Sequence, residues 1–279
     1  MPRCLAALLA LLLVVAACAS HRPAPPSGFG AGTTGHTVAF GGLERTYRLY
    51  VPADLAPAAP LVVMLHGGFG SAEQAEGAYG WDRMADTAQF AVVYPEGVGR
   101  AWNGGTCCGR PVQDGVDDVG FISEVIADVE ANVGIDRRRI YATGMSNGGL
   151  MSYALACSTD IFAAFGPVAA TLMTACPTPR ATSVMHIHGR DDRMVRYDGG
   201  PGSGVARIDG PSVPEVNVFW RDVARCAPPS ITVDGPVTTS AAACPDNRAV
   251  TLITVDGGGH EWPSFATTAL WQFFSARSR

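Results

Sequence analysis

The stretch RRIYATGMSNGGLMSYALAC, residues 138–157, decides how the rest of the chain is read. It opens on a short apolar run that fits a buried strand and closes on a run that fits a helix. Between them stands Gly144-Met145-Ser146-Asn147-Gly148. A Gly-x-Ser-x-Gly string is weak by itself in a chain with 33 glycines. Flanked by a strand and a helix, it reads as a nucleophile elbow, a tight turn in which side chains at the glycines would clash and the serine is exposed. Ser146 is the only serine with glycine at both −2 and +2. The free N–H groups of the helix start would lie beside its hydroxyl.

The same strand-then-helix form recurs on both sides of the elbow. HTVAF and RTYRLYV, joined by Gly41-Gly42, predict an antiparallel edge hairpin. PLVVMLHGG, FAVVYPEG, FAAFGPVAA, SVMHIHG and AVTLITVDGGG predict further strands, most of them buried. Helices are expected over 72–88, 118–132, 147–157, 213–224 and 265–275, the second opening on Asp117 or Asp118 as N-cap. Alternation of this kind implies βαβ units: an α/β fold with a mostly parallel central sheet and helices on both faces. Functional residues of such sheets collect on loops at the carboxyl ends of the strands.

Composition narrows the function. The 279 residues are 47% hydrophobic and 16% charged, which supports a sizeable core. A net charge of −5, with no basic cluster beyond Arg137–Arg139, leaves nucleic acid without an electrostatic footprint. The chain has no lysine, which removes Schiff-base and Ser–Lys chemistry. At the N-terminus the apolar run from Leu5 to Ala17 is shorter than the ~20 residues of a membrane span. Residues 1–17 read as a signal peptide. Val15-Ala16-Ala17-Cys18 resembles a bacterial lipobox, so Cys18 is expected to be lipidated and to serve as the only membrane contact of an exported chain. Residues 18–35 read as the lipidated cysteine and a flexible tether, and 36–279 as one catalytic domain. Apart from Cys4 and Cys18, six cysteines in an exported chain suggest disulfides, and nearest-neighbour pairing gives Cys107–Cys108, Cys157–Cys176 and Cys226–Cys244.

A nucleophilic serine needs a base, and the base an orienting acid. Of the six histidines, His260 alone follows a strand and a glycine run, in AVTLITVDGGGHEWP. Asp191 and Asp192 both follow the strand end of SVMHIHGRDD. The order Ser, Asp, His is that of α/β-hydrolases. The oxyanion formed by ester attack needs two N–H donors. One is expected from Asn147 and the other from LHGGFGSA, with Gly68 preferred and Phe69 next. Glu73 occupies the last glycine position of a dinucleotide fingerprint in that loop, and no cofactor is expected. His186 and His188 share a strand face without a third ligand nearby; they are read as packing or hydrogen-bonding groups, and no metal is expected.

The runs LVVMLHGG, VVYPEG, WNGGTCCG followed by VDDVGFI, GMSNGG, HIHGRDDRMVRY and GGGHEWP together resemble secreted α/β-hydrolase esterases. That group includes polyhydroxybutyrate depolymerases and the feruloyl and acetylxylan esterases of carbohydrate esterase family 1. The resemblance covers roughly residues 36–275. It implies an α/β-hydrolase fold and a Ser146–His260–Asp192 triad, with Asp192 chosen because it lies three residues after the glycine of His-Gly. It also implies that Trp102 and Trp262 flank the acyl cleft, with Phe69 at the substrate. Only a short connection, with Cys176 in it, separates FAAFGPVAA from SVMHIHG, so no large cap domain is expected. YDGGPGSGVARIDGPSVPE, residues 197–215, reads as a mobile rim. The expected activity is hydrolysis of carboxylic esters, on partners that include polymers. An acyltransferase or peptidase on the same fold, and a surface-anchored binding protein with a vestigial site, are the competing readings.

Overall fold

The computed structural model describes residues 29–279. The signal peptide, Cys18 and the tether as far as residue 28 lie outside the described residues. The elements in chain order are β1 (Gly32–Phe40), β2 (Leu43–Val51), β3 (Ala59–Leu65), α1 (Ala72–Tyr79), α2 (Trp81–Ala88), β4 (Ala91–Pro95), α3 (Gly109–Gln113), α4 (Asp118–Val133), β5 (Ile135–Met145) and α5 (Asn147–Ser158). There follow β6 (Ala164–Val168), β7 (Ser183–Gly189), β8 (Gly200–Pro201), β9 (Asp209–Gly210), α6 (Val213–Val223), β10 (Ser230–Asp234), β11 (Val237–Ala243), β12 (Ala249–Val255) and α7 (Ala266–Ser275).

Ten strands form one sheet in the order β1-β2-β4-β3-β5-β6-β7-β12-β11-β10. The six from β4 to β12 run parallel. Antiparallel hairpins close both edges. Alternation along β3 divides the core into two layers. Leu61 and Val63 belong to one layer with Phe121 and Val125 of α4, Met151 of α5 and Trp220 of α6. Val62 and Met64 belong to the opposite layer with Trp81 of α2 and Leu270 and Phe274 of α7. A strand covered on both faces must be apolar throughout, which is why PLVVML is unbroken.

The helices follow their local signals. Asp117 caps α4 by accepting the Gly120 N–H at 2.8 Å. Ser212 and Glu215 form a reciprocal capping box on α6. The single helix expected over 72–88 is two, because Gly80 takes a left-handed conformation between them. The β10–β11 hairpin was not expected. Every residue of SITVD is exposed, and VTTSAAA has one large apolar residue, so neither carries the apolar run used to find the others. The folded domain also begins earlier than residue 36: Gly32–Gly35, assigned to the tether, pair with Arg48–Val51. That pairing is made by backbone and needs no apolar pattern.

Among the described residues no large cap covers the carboxyl ends of the strands. Residues 169–182, between β6 and β7, form a compact connection tied to α5 by the Cys157–Cys176 disulfide. The other described cysteines are joined as Cys107–Cys108 and Cys226–Cys244.

Candidate active site

Ser146 stands between β5 and α5 with φ 54° and ψ −119°, a conformation that non-glycine residues rarely adopt. The turn is held by backbone crowding. A Cβ at Gly144 would come within 2.4 Å of the Gly148 carbonyl, and one at Gly148 within 2.2 Å of the Leu65 carbonyl oxygen. The end of β3, the end of β5 and the start of α5 thus meet closer than any side chain permits. Ser146 N–H is anchored to the Val168 carbonyl at 2.9 Å, which leaves the hydroxyl to face outward.

His260 lies in the loop after β12, its side chain 14% exposed, with Nε2 at 2.9 Å from Ser146 Oγ and Nδ1 at 2.8 Å from Asp192 Oδ2. Asp192 is fully buried in the turn after β7. Its Oδ1 accepts the N–H groups of Met194 and Val195 at 2.8 and 2.9 Å. Burial alone would raise the pKa of this carboxyl. Hydrogen bonds from His188, His260 and the Val195 N–H outweigh that and hold it far below the usual carboxylate range. Asp191, the other candidate, is exposed and binds through its backbone N–H to the Gly258 carbonyl at 2.9 Å. The geometry therefore brings Asp192, not Asp191, to His260.

Two backbone N–H groups beside the serine are free to receive an oxyanion. Among the described residues neither Gly68 nor Asn147 N–H has an acceptor. Phe69, the other candidate donor, gives its N–H to the Arg100 carbonyl at 2.8 Å. The Asn147 side chain has a role the sequence did not signal. Its Oδ1 accepts the Trp102 N–H at 2.6 Å and its Nδ2 donates to the Trp102 carbonyl at 3.0 Å. One amide thus reads both polar groups of one residue and ties the 101–104 loop to the start of α5. His66 supports the facing loop: its Nδ1–H donates to the Gly67 carbonyl at 2.8 Å and its Nε2 accepts the Gly97 N–H at 3.0 Å. Burial lowers the pKa of His66, which keeps that acceptor unprotonated.

Both expected tryptophans are elsewhere. Trp102 is wholly buried rather than at the cleft, because its Nε1–H finds an acceptor inside, the His66 carbonyl at 2.9 Å, and its ring lies against His66. It supports the start of the His66–Gly70 loop. Trp262 is half-buried, its ring tilted against Tyr79 with centroids 4.6 Å apart and its Nε1–H donated to Thr267 Oγ1 at 3.1 Å. It is not on the wall of the cavity that contains Ser146; it anchors the loop that carries His260. Phe69 does line that cavity, 71% exposed.

The cavity measures about 290 Å³. Gly68, Ser146 and Asn147 line it beside the serine, and the apolar side chains of Phe69, Met194, Val205 and Ile208 line the rest. Cys108 contributes from the Cys107–Cys108 pair, which rests on Leu150 and Ala170. The charged groups on the wall are Arg100 and Arg110; no carboxylate lines it. The rim residues come from 193–208, within a segment closed by the short β8–β9 ladder. The stretch 197–215, expected as a rim, overlaps these residues at Ser203, Val205, Ala206 and Ile208, whereas Met194 lies before it. Among the described residues no group of three or more His, Cys, Asp or Glu could hold a metal ion. His186 and His188 hydrogen-bond to each other at 3.0 Å. Nor is any helix among them long and apolar enough to cross a membrane.

The chain is similar to known proteins. The sequence model described as Esterase PHB depolymerase matches residues 45–218. NocK of Nocardia uniformis subsp. tsuyamanensis, an esterase by provisional assignment, is 33% identical over 84% of this chain and 75% of its own length. Feruloyl esterase B of Piromyces equi is 30% identical over 73% of this chain, which spans 40% of that longer protein. Among solved structures, the acetyl xylan esterase from Aspergillus awamori superposes with a TM-score of 0.68, covering 87% of this chain and 99% of that one. At 16% identity that likeness speaks for the fold alone.

Proposed function

Because this chain belongs to the Esterase PHB depolymerase family, we propose that it is an exported serine esterase that hydrolyses carboxylic esters through Ser146, His260 and Asp192. The observation that carries the reading is the unbroken hydrogen-bonded line from Ser146 Oγ through both nitrogens of His260 to Asp192. Ser146 Oγ attacks the ester carbonyl carbon while His260 Nε2 takes its proton. The carbonyl oxygen becomes an oxyanion held by the N–H groups of Gly68 and Asn147. Collapse expels the alcohol, protonated by His260, and leaves an acyl group on Ser146. Water, deprotonated by His260, then releases the acid. Asp192 orients the imidazole and stabilises its charged form.

The uncapped cleft supports ester groups displayed on bulky or polymeric molecules: acetyl or feruloyl esters of polysaccharide, or polyesters of the hydroxybutyrate type. The apolar rim of Phe69, Met194 and Val205 supports contact with an apolar acyl group or polymer. A wall with arginines and no carboxylate offers nothing to hold a free amine, which disfavours a peptidase. Three disulfides support export to an oxidising compartment. Lipidation of Cys18 is part of the same proposal; palmitate labelling that persists in Cys18→Ser would remove it.

The test is a panel of p-nitrophenyl acetate and butyrate, methyl ferulate, acetylated xylan and short hydroxybutyrate oligomers. Ser146→Ala serves as the control. Turnover of at least one class is expected, with Ser146→Ala reduced about 10⁴-fold or more. Equal turnover by Ser146→Ala would overturn the reading.

A further inference from the structure

Asp192 is held from two sides, and the reaction so far uses only one. On the cleft side Oδ2 faces His260. On the core side the wholly buried His188 brings Nε2 to 3.3 Å from the same Oδ2 and to 2.8 Å from the Val195 carbonyl. Behind it, His188 Nδ1 lies 3.0 Å from His186 Nε2, and His186 Nδ1 lies 2.9 Å from the Tyr153 hydroxyl. Tyr153 and His186 are fully buried in the layer beneath the site. His186 and His188 alternate on β7, so both rings project from one face of the strand.

The ends of this chain fix its proton order. A carbonyl and a carboxylate only accept, so His188 Nε2 carries the hydrogen. With one hydrogen, on Nε2, His188 accepts at Nδ1, and His186 donates to it from Nε2. That leaves His186 Nδ1 to accept the Tyr153 hydroxyl. Burial, with His188 adding to it, pushes the pKa of His186 far below its ordinary range, which keeps that ring neutral.

We propose that His188 is a positioning residue for this site: its Nε2, hydrogen-bonded to the Val195 carbonyl at 2.8 Å and 3.3 Å from Asp192 Oδ2, steadies that oxygen where it serves His260, and the Tyr153–His186 pair holds the ring in place. The proposal rests on the triad reading above. Without His188, Asp192 would be held on the core side through Oδ1 alone, and Oδ2 could swing about that anchor. A small rotation there is transmitted directly to the imidazole and to the line of proton transfer. This assigns a task to the His-x-His of HIHG that the triad leaves unused, and it makes Tyr153 and His186 the support of that task.

The experiment compares His188→Leu, His188→Gln, His188→Asn and Tyr153→Phe with the parent, using p-nitrophenyl butyrate, active-site titration and thermal melts. Glutamine returns an N–H near the Nε2 position, whereas asparagine reaches only as far as Nδ1. Per titrated site, His188→Leu is expected to lose about 10- to 100-fold in kcat with KM within about twofold. His188→Gln should recover most of that loss and Tyr153→Phe should show a smaller one. If His188→Leu fails to fold, the glutamine and asparagine variants decide, with Gln expected about tenfold faster. The proposal is overturned if kcat per site is unchanged in His188→Leu, if the loss falls on KM, or if Gln is no better than Leu or Asn. Ser146→Ala and Asp192→Asn, run alongside, separate the two failures. Full activity in those sinks the triad itself, whereas their collapse beside active His188 variants sinks only the clamp.

Discussion

The two walls of the cleft are built by different physics. The serine side is backbone: β3, β5 and α5 converge until only glycine fits at 144 and 148, and Asn147 binds the peptide groups of Trp102. The rim side is side chain: Met194 and Val205 stand exposed on a loop tied by one two-residue ladder. Substitutions on the first side should therefore destroy chemistry or folding, and those on the second should only retune binding. Four outcomes test that contrast, from large to small.

Asp192→Asn should lower kcat about 10³- to 10⁴-fold, because the amide would no longer fix His260 in the proton-accepting tautomer. Asp191→Asn, a residue away but exposed, should stay within about threefold of the parent; a larger loss at 191 would reverse the assignment. Gly148→Ala places a methyl 2.2 Å from a carbonyl oxygen and should cost about 3 kcal/mol or more in urea unfolding, or yield no soluble protein. On acidification, His66 and His186, whose folded-state pKa values burial lowers, bind protons in the unfolded chain first. Stability present above pH ~6.5 should then fall by up to about 1.4 kcal/mol per pH unit for each, and flat stability from pH 7 to 5 would contradict their neutral burial. Asp192, with its lowered pKa, adds a further loss below pH ~4. Phe69→Ala should leave melting within about 1 °C and raise KM a few-fold at constant kcat; a kcat loss would mean that this ring shapes the oxyanion loop.

The contrast also explains what was legible. The elbow could be read from GMSNGG because sterics dictate residue type there, and the parallel core strands because double-sided burial demands unbroken apolar runs. Asp192 and His260 follow strand ends, where the topology places functional groups, although choosing 192 over 191 needed the family resemblance. Trp102 could not be placed by pattern, since its burial depends on a carbonyl acceptor at His66, remote in sequence. The Asn147 clamp, the rim side chains and the His188 contact depend likewise on loops that meet only in the fold. The β10–β11 hairpin was invisible because an edge ladder asks little of its side chains.

The central claim is that Ser146 is a nucleophile activated by His260. Incubation with a fluorophosphonate, followed by intact mass and tryptic mapping, tests it most directly. One adduct per chain is expected, on the peptide Ile140–Arg180 at Ser146, with labelling slowed by about 10² or more in His260→Ala and absent in Ser146→Ala. An adduct at another residue, or undiminished labelling of His260→Ala, would contradict the account.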